Sequence, residues 1–172
     1  MLKLALIFIS FGIVVGCASN PARVGSMTAE SQNSIDSSSR FYQTIELGSV
    51  SGSDKKVWGP DVTNESFEAA LEASLKRFRL ISMQGKGRYV LDTILQHVDT
   101  PHVALEFTAE AKVNYKLIEK QTGKIILNKT ISSSAKVPLS ESILGSTRGR
   151  LARERAVKGN FEKFFSTLQT IN

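Results

Sequence analysis

Val103-Ala104-Leu105-Glu106-Phe107-Thr108-Ala109-Glu110-Ala111-Lys112-Val113-Asn114-Tyr115-Lys116-Leu117-Ile118 is the stretch whose reading decides the fold. Val103, Leu105, Phe107, Ala109, Ala111, Val113, Tyr115 and Leu117 alternate with residues that are mostly charged or polar. Successive side chains of a strand point to opposite faces, so a period of two sends the first set to a core and the second toward water. A strand with one wet face belongs to an antiparallel sheet that carries helices on one side only.

The neighbouring segments complete the sheet. Gln121-Thr122-Gly123 supplies a hairpin turn, and Ile125, Leu127 and Ile131 continue on a returning strand. Upstream, residues 88–98 read as a strand with Tyr89, Leu91 and Leu95 on the apolar face, opened by the turn Gln84-Gly85-Lys86-Gly87 and closed by Thr100-Pro101. Phe41, Ile45 and Leu47 suggest a first strand before the Gly48 to Lys56 loop. Between these strands, Phe67, Leu71, Leu75 and Phe78 recur at helical spacing behind the candidate N-caps Asp61, Thr63 and Asn64. Glu65 and Glu68 fall in the first turn, which favours a helix over about 64–79. Val157, Phe161, Phe164 and Leu168 give a second helix over about 147–169. The expected class is therefore α+β, an antiparallel sheet of about four strands with two helices on one face, in the order β-α-β-β-β-α.

The amino terminus carries a different kind of information. Lys3 precedes the apolar run Leu4-Ala5-Leu6-Ile7-Phe8-Ile9, which continues through Phe11, Ile13, Val14 and Val15 and ends at the small Gly16. A charged start, a short apolar run and a small residue before a cut make a signal peptide over 1–16, too short to span a bilayer as a helix. Cys17 follows directly, an arrangement that resembles the processing site of bacterial lipoproteins, and the resemblance implies that Cys17 is the lipidation site and the first residue of the mature chain. Several acyl chains anchor a protein far more durably than one, at roughly 0.8 kcal/mol per buried methylene. It is the single cysteine, so no internal disulfide can form. Residues 17–40, rich in Ser, Asn and Thr with Ser37-Ser38-Ser39, read as an acylated cysteine and flexible tether, and 41–172 as one periplasmic domain.

The formal net charge is +6, and much of the excess sits near the end of the chain. Arg148, Arg150, Arg153, Arg155, Lys158 and Lys163 face only Glu154 and Glu162. At about 100° per residue, Arg150 and Arg153 prolong the apolar stripe of Val157, Phe161 and Phe164. Either the first turns of the helix overhang the sheet as a solvated end, or the guanidinium groups meet an acidic group elsewhere in the chain or on another molecule. Arg148, Arg150, Arg153 and Arg155 are thus the candidate contacts to an anionic partner such as lipid headgroups, lipopolysaccharide or an acidic protein. Gly159, inside the helix, marks either a close approach to the sheet or a bend.

Catalytic chemistry has little to build on. His97, Asp99 and His102 lie within six residues, but a zinc site wants a further ligand and an ordered surround, so a turn with solvated histidines is the expectation. No Gly-x-Ser-x-Gly elbow occurs, and Gly85-Lys86-Gly87-Arg88 lacks the rest of a phosphate loop. Asn64-Glu65-Ser66 and Asn128-Lys129-Thr130 match glycosylation sequons but read as helix capping and strand surface. The basic helix has no aromatic platform between its charges, which argues against nucleic acid. No enzyme activity, metal or cofactor is expected; the partners expected are the membrane through Cys17 and an envelope protein or lipopolysaccharide.

The Cys17 signal matches the lipobox of bacterial lipoproteins, and the chain resembles a family of uncharacterised proteobacterial lipoproteins. Besides the lipobox and the Ser-rich segment, the resemblance rests on the run from Val62 to Leu75 and on Leu151-Ala152-Arg153-Glu154-Arg155-Ala156-Val157-Lys158-Gly159-Asn160. In layout it is also similar to the small lipoprotein of the lipopolysaccharide translocon, with no functional residue carried over. In such lipoproteins Asp after the acylated Cys favours inner-membrane retention. Ala18 here implies the periplasmic face of the outer membrane rather than the inner membrane or the cell surface.

Overall fold

The structure is a computed structural model and describes residues 21–30, 35–52, 62–99 and 106–172. In chain order its elements are α1 (Val24–Met27), β1 (Ile45–Ser51), α2 (Asn64–Arg77), β2 (Tyr89–Asp99), β3 (Phe107–Glu119), β4 (Ile125–Val137) and α3 (Gly145–Thr170). Apart from the single turn of α1, this is the order expected from the sequence.

The four strands form one sheet in the order β1-β2-β3-β4. β2–β3 and β3–β4 are antiparallel, with Val113 opposite Leu95 on one side and Ile131 on the other. The β1–β2 pair corrects the expectation of a wholly antiparallel sheet. It is parallel, with Ile45 opposite Tyr89 and Leu47 opposite Leu91, so the sheet is mixed. The reason is α2: a helical crossover brings the chain back to the end at which β1 began, and the next strand must then run in the same direction.

Local signals explain where the elements begin and end. Thr63 is the N-cap of α2, its hydroxyl accepting from the Ser66 N–H at 3.2 Å, while Lys76 and Arg77 occupy the last turn. The helix stops at Arg79, which takes φ 55, as the Leu80 N–H reaches back to the Leu75 carbonyl and the Arg79 N–H to that of Lys76. These two bonds are a Schellman closure, here without its usual glycine. The 119–124 hairpin turns on Gly123 at φ 68, as its sequence implied. Gly87 is required by close approach, since a Cβ there would lie 2.8 Å from the Thr44 carbonyl oxygen.

The core lies between the sheet and the two long helices. Phe107, Ala109, Ala111, Val113, Tyr115 and Leu117 of β3 are all buried, and the alternation quoted above holds along the described strand. Phe164 of α3 stacks on Tyr115 with ring centroids 4.1 Å apart, and Phe161 meets Phe67 of α2 edge-on at 5.0 Å. The first strand starts later than expected, at Ile45. Phe41 is buried in a turn before it, and Gln43 takes φ 52 while donating its N–H to the Arg79 carbonyl.

Residues 21–30 and 35–40 correct the reading of 17–40 as a free tether. Ala22, Met27, Ala29 and Ile35 are buried, and α1 packs against both α2 and α3. Polar bonds hold this strap in place. The Arg23 N–H donates to Glu154 Oε1 at 2.7 Å, the Ala29 N–H to Ser74 Oγ at 2.9 Å, and Lys158 pairs with Glu30 at 3.1 Å. Farther on, Ser39 Oγ donates to Asn172 Oδ1 at 2.8 Å and joins the strap to the end of α3. Four apolar side chains thinly spread among polar ones suffice to dock the segment, because its backbone donors find buried acceptors.

Candidate functional site

The sequence placed its candidate contacts in the first turns of α3, and the structure turns most of them inward. Arg148, Arg150 and Arg153 are only 6%, 5% and 6% exposed. Arg148 Nη1 donates to the carbonyls of Ser142 at 2.6 Å and Ile143 at 3.1 Å, and its guanidinium lies 5.0 Å over the Phe107 ring. It therefore ties the β4–α3 loop to the helix and the first residue of β3. Arg150 Nη1 donates to both oxygens of Glu154 at 2.8 and 2.9 Å, and Glu154, 1% exposed, also takes the Arg23 N–H. Arg153 is buried beside Gly149, where a Cβ would sit 3.6 Å from its Nη2.

Arg155 reaches solvent, yet Glu141 holds it through two bonds of 2.9 and 2.5 Å. The hydrogen bond from Arg155 keeps the Glu141 carboxyl below its ordinary value, and the same bond raises Arg155. The expected open basic face thus gives way to an internal framework in which arginines brace a loop and the amino-terminal strap. A stripe reading sees only that Arg150 and Arg153 extend the apolar face; it cannot see the loop carbonyls that turn back onto Arg148 or the Arg23 N–H that reaches Glu154 from the amino-terminal strap. Of the two alternatives left open by the sequence, the acidic group elsewhere in the chain is realised for Arg150, one turn along the same helix. Cys17 lies outside the described residues.

A second buried polar group was not anticipated. Asn160, in the middle of the buried face of α3, donates from Nδ2 to the carbonyls of Ala111 at 3.0 Å and Ile131 at 2.9 Å. Its Oδ1 accepts from the Tyr115 hydroxyl at 2.8 Å. Burial drives the Tyr115 pKa well above its ordinary value, which keeps the hydroxyl protonated and donating. Ser133 Oγ adds a bond to the Ala156 carbonyl at 2.7 Å. This network fixes the register of α3 on β3 and β4, and its donors and acceptors are used internally. Gly159 beside it meets nothing within 4 Å, so it marks no close approach to the sheet.

Among the described residues, three surfaces are open to a partner. The sheet face away from the helices presents Thr108, Glu110, Lys112, Ser132, Ser134 and Lys136 as exposed residues, with Ile94 47% exposed among them. A groove of about 370 Å³ runs between β4 and α3, lined by Lys129, Thr130, Ile131, Ser132, Lys163, Ser166 and Thr167. Lys163 Nζ donates to the Ser132 carbonyl there at 2.8 Å. At the β4–α3 loop, Leu139, Ile143 and Leu144 are 46%, 89% and 66% exposed.

His97 is exposed on β2, while His102 and the side chain of Asp99 lie outside the described residues. Among the described residues no group of three His, Cys, Asp or Glu is arranged to hold a metal ion. Among them, too, no helix is long and apolar enough to cross a membrane.

No protein-family model matches the chain, and no curated protein sequence does. Solved structures do share its fold. A Xanthomonas campestris protein of the DUF330 family is 13% identical with a TM-score of 0.60, covering 83% of this chain and 94% of that one. A protein described as a lipoprotein from Caulobacter crescentus is 17% identical with a TM-score of 0.52, covering 75% of this chain and 90% of that one. A minor lipoprotein from Acinetobacter baumannii is 10% identical with a TM-score of 0.52, covering 75% and 92%. The class defined here is a four-stranded α+β fold whose structural neighbours include bacterial lipoproteins.

Proposed function

We propose that the chain is a lipoprotein of the bacterial envelope, acylated at Cys17, held at the periplasmic face of the outer membrane, and acting there as a non-enzymatic binding or assembly module. The observation that carries this reading is the amino-terminal signal that ends in Val14-Val15-Gly16-Cys17. Its support from the fold is that proteins described as lipoproteins have the same architecture. The sheet face left bare by α2 and α3 is the surface offered to an envelope protein. Replacing Cys17 by Ser should abolish lipid labelling and move the protein out of the outer-membrane fraction. Unchanged labelling and fractionation would refute the anchor. Crosslinking from intact cells through residues of the bare sheet face, such as Lys112 and Lys136, should capture one defined envelope partner; an even background of unrelated proteins would count against the assembly role.

A second reading, an anionic-headgroup carrier, is favoured by the groove that sets Lys129 and Lys163 among four hydroxyl side chains. It shifts the anion contacts away from the buried arginines. Binding of lipopolysaccharide that survives Lys129→Ala with Lys163→Ala, or that is insensitive to salt, would exclude it.

A further inference from the structure

We propose that the β4–α3 loop is a membrane-docking tip which, together with the acyl anchor, holds the domain upright on the bilayer. The proposal rests on the acylation of Cys17 proposed above. Its physical basis is the shortness of the leash. The strap is bonded to Glu154 through the Arg23 N–H. Six peptide steps separate Cys17 from Arg23, and at no more than about 3.6 Å each they keep the anchor within roughly 20 Å of that point.

Glu154 lies on the part of α3 that begins beside the loop. Ten residues, about 15 Å of helix axis, separate it from Leu144, whereas sixteen residues, about 24 Å, separate it from Thr170 at the other end. An anchor on so short a leash brings the loop end of the molecule to the bilayer before the opposite end.

The loop itself is built to stay presented. Ile143 and Leu144 are the most exposed large apolar side chains of this loop, at 89% and 66%, and Leu139 joins them. A slack loop would fold such side chains against the domain. Here the Arg148 guanidinium fixes the Ser142 and Ile143 carbonyls, Ser142 Oγ accepts the Leu144 N–H at 3.2 Å, and Arg155 holds Glu141. The backbone is thus pinned from the helix side while the apolar groups face outward. Arg148 is buried beneath the loop and spent on its carbonyls, and Arg155 at its edge is spent on Glu141, so what the loop offers outward is its apolar side chains. Apolar side chains entering the headgroup boundary follow the logic of interfacial anchors.

The test uses the full acylated chain in vesicles of phosphatidylethanolamine and phosphatidylglycerol. Cys17 is the single cysteine and its sulfur is consumed by acylation, so Ile143→Cys supplies one thiol for a polarity-sensitive dye. Ile125→Cys, half exposed at the far end of β4, is the control. Both sites are solvent-facing, so neither substitution threatens the fold. The expected result is blue-shifted emission and several-fold stronger quenching by lipid-borne nitroxides at 143 than at 125. Equal quenching at the two positions in protein whose Cys17 is acylated overturns the docking and leaves the anchor standing. Intact mass showing an unmodified Cys17 overturns both. Shielding at 143 in cell envelopes that disappears in pure lipid vesicles assigns the loop to a protein partner and also overturns the proposal.

Discussion

Glu154→Ala tests the internal framework at its most stressed point. The carboxylate is 1% exposed and accepts three bonds, two from Arg150 Nη1 and one from the Arg23 N–H. Its removal leaves the Arg150 guanidinium buried without its counter-charge, and the Nε of that side chain already has no hydrogen-bond partner among the described residues. Breaking a buried pair from one side costs about 3–5 kcal/mol, because the surviving charge keeps its desolvation penalty. That is a large share of the roughly 5–15 kcal/mol that holds a domain together. Arg150→Met should cost a similar amount by stranding the carboxylate with the single strap N–H. The double variant Arg150→Met with Glu154→Leu removes both charges, so it should lose only the strap bond, about 1–3 kcal/mol. The expected signature is a double variant more stable than either single one, a coupling far outside additivity. Urea denaturation followed by circular dichroism reads the energies, and hydrogen exchange at the Arg23 and Ala29 amides reads the strap. Single losses under about 1 kcal/mol, or losses that simply add, would refute the account of Arg150 and Glu154 as a mutually dependent pair.

Three further outcomes follow from other parts of the fold. Asn160→Ala should destabilise by about 3 kcal/mol, since the buried Tyr115 hydroxyl and two strand carbonyls lose their partner; adding Tyr115→Phe to it should cost less than the separate losses combined, as denaturant midpoints will show. Gly159→Ala meets open space within α3 and should raise stability by about 0.5–1 kcal/mol, visible as a higher melting temperature. Glu141 is held below its unfolded value of 4.5 by the Arg155 hydrogen bond, so its contribution is present above that pH and is lost as the pH falls through the lower folded value. Glu141→Gln should therefore flatten the stability profile below about pH 4.5 and leave its slope near neutrality unchanged, measured by melting at stepped pH.

What the sequence disclosed depended on the range of the interaction concerned. The β3 alternation and the Phe67, Leu71, Leu75 repeat of α2 are local periodicities, and burial follows them residue by residue. Parallel pairing of β1 and β2 was also implicit, because a helix intervenes between them, but the wet face of β3 suggested one sheet type for all strands. The strap is another matter. Ala22, Met27 and Ile35 are too sparse to mark a period, and what docks them is a serine on α2 and a carboxylate on α3. Glu154 lies 131 positions from Arg23, beyond the reach of any spacing rule.

The arginines make the same point with opposite consequences for function. Read along the helix, Arg148, Arg150, Arg153 and Arg155 form a charge cluster that invites an external anion. Folded, Arg148, Arg150 and Arg155 meet the Ser142 and Ile143 carbonyls, the Phe107 ring, Glu154 and Glu141. A guanidinium spreads its charge over a planar fork with five donors, so it can be buried against carbonyls where an ammonium would need a compact anion. Lysine at 148 would consequently fail to bridge the two loop carbonyls and the ring together, and the exposed Ile143 and Leu144 would lose the brace that keeps them outward. The positive charge of this helix thus acts on the apolar loop through the backbone it pins, and the outward chemistry of the region is set by what the arginines hold rather than by the arginines themselves.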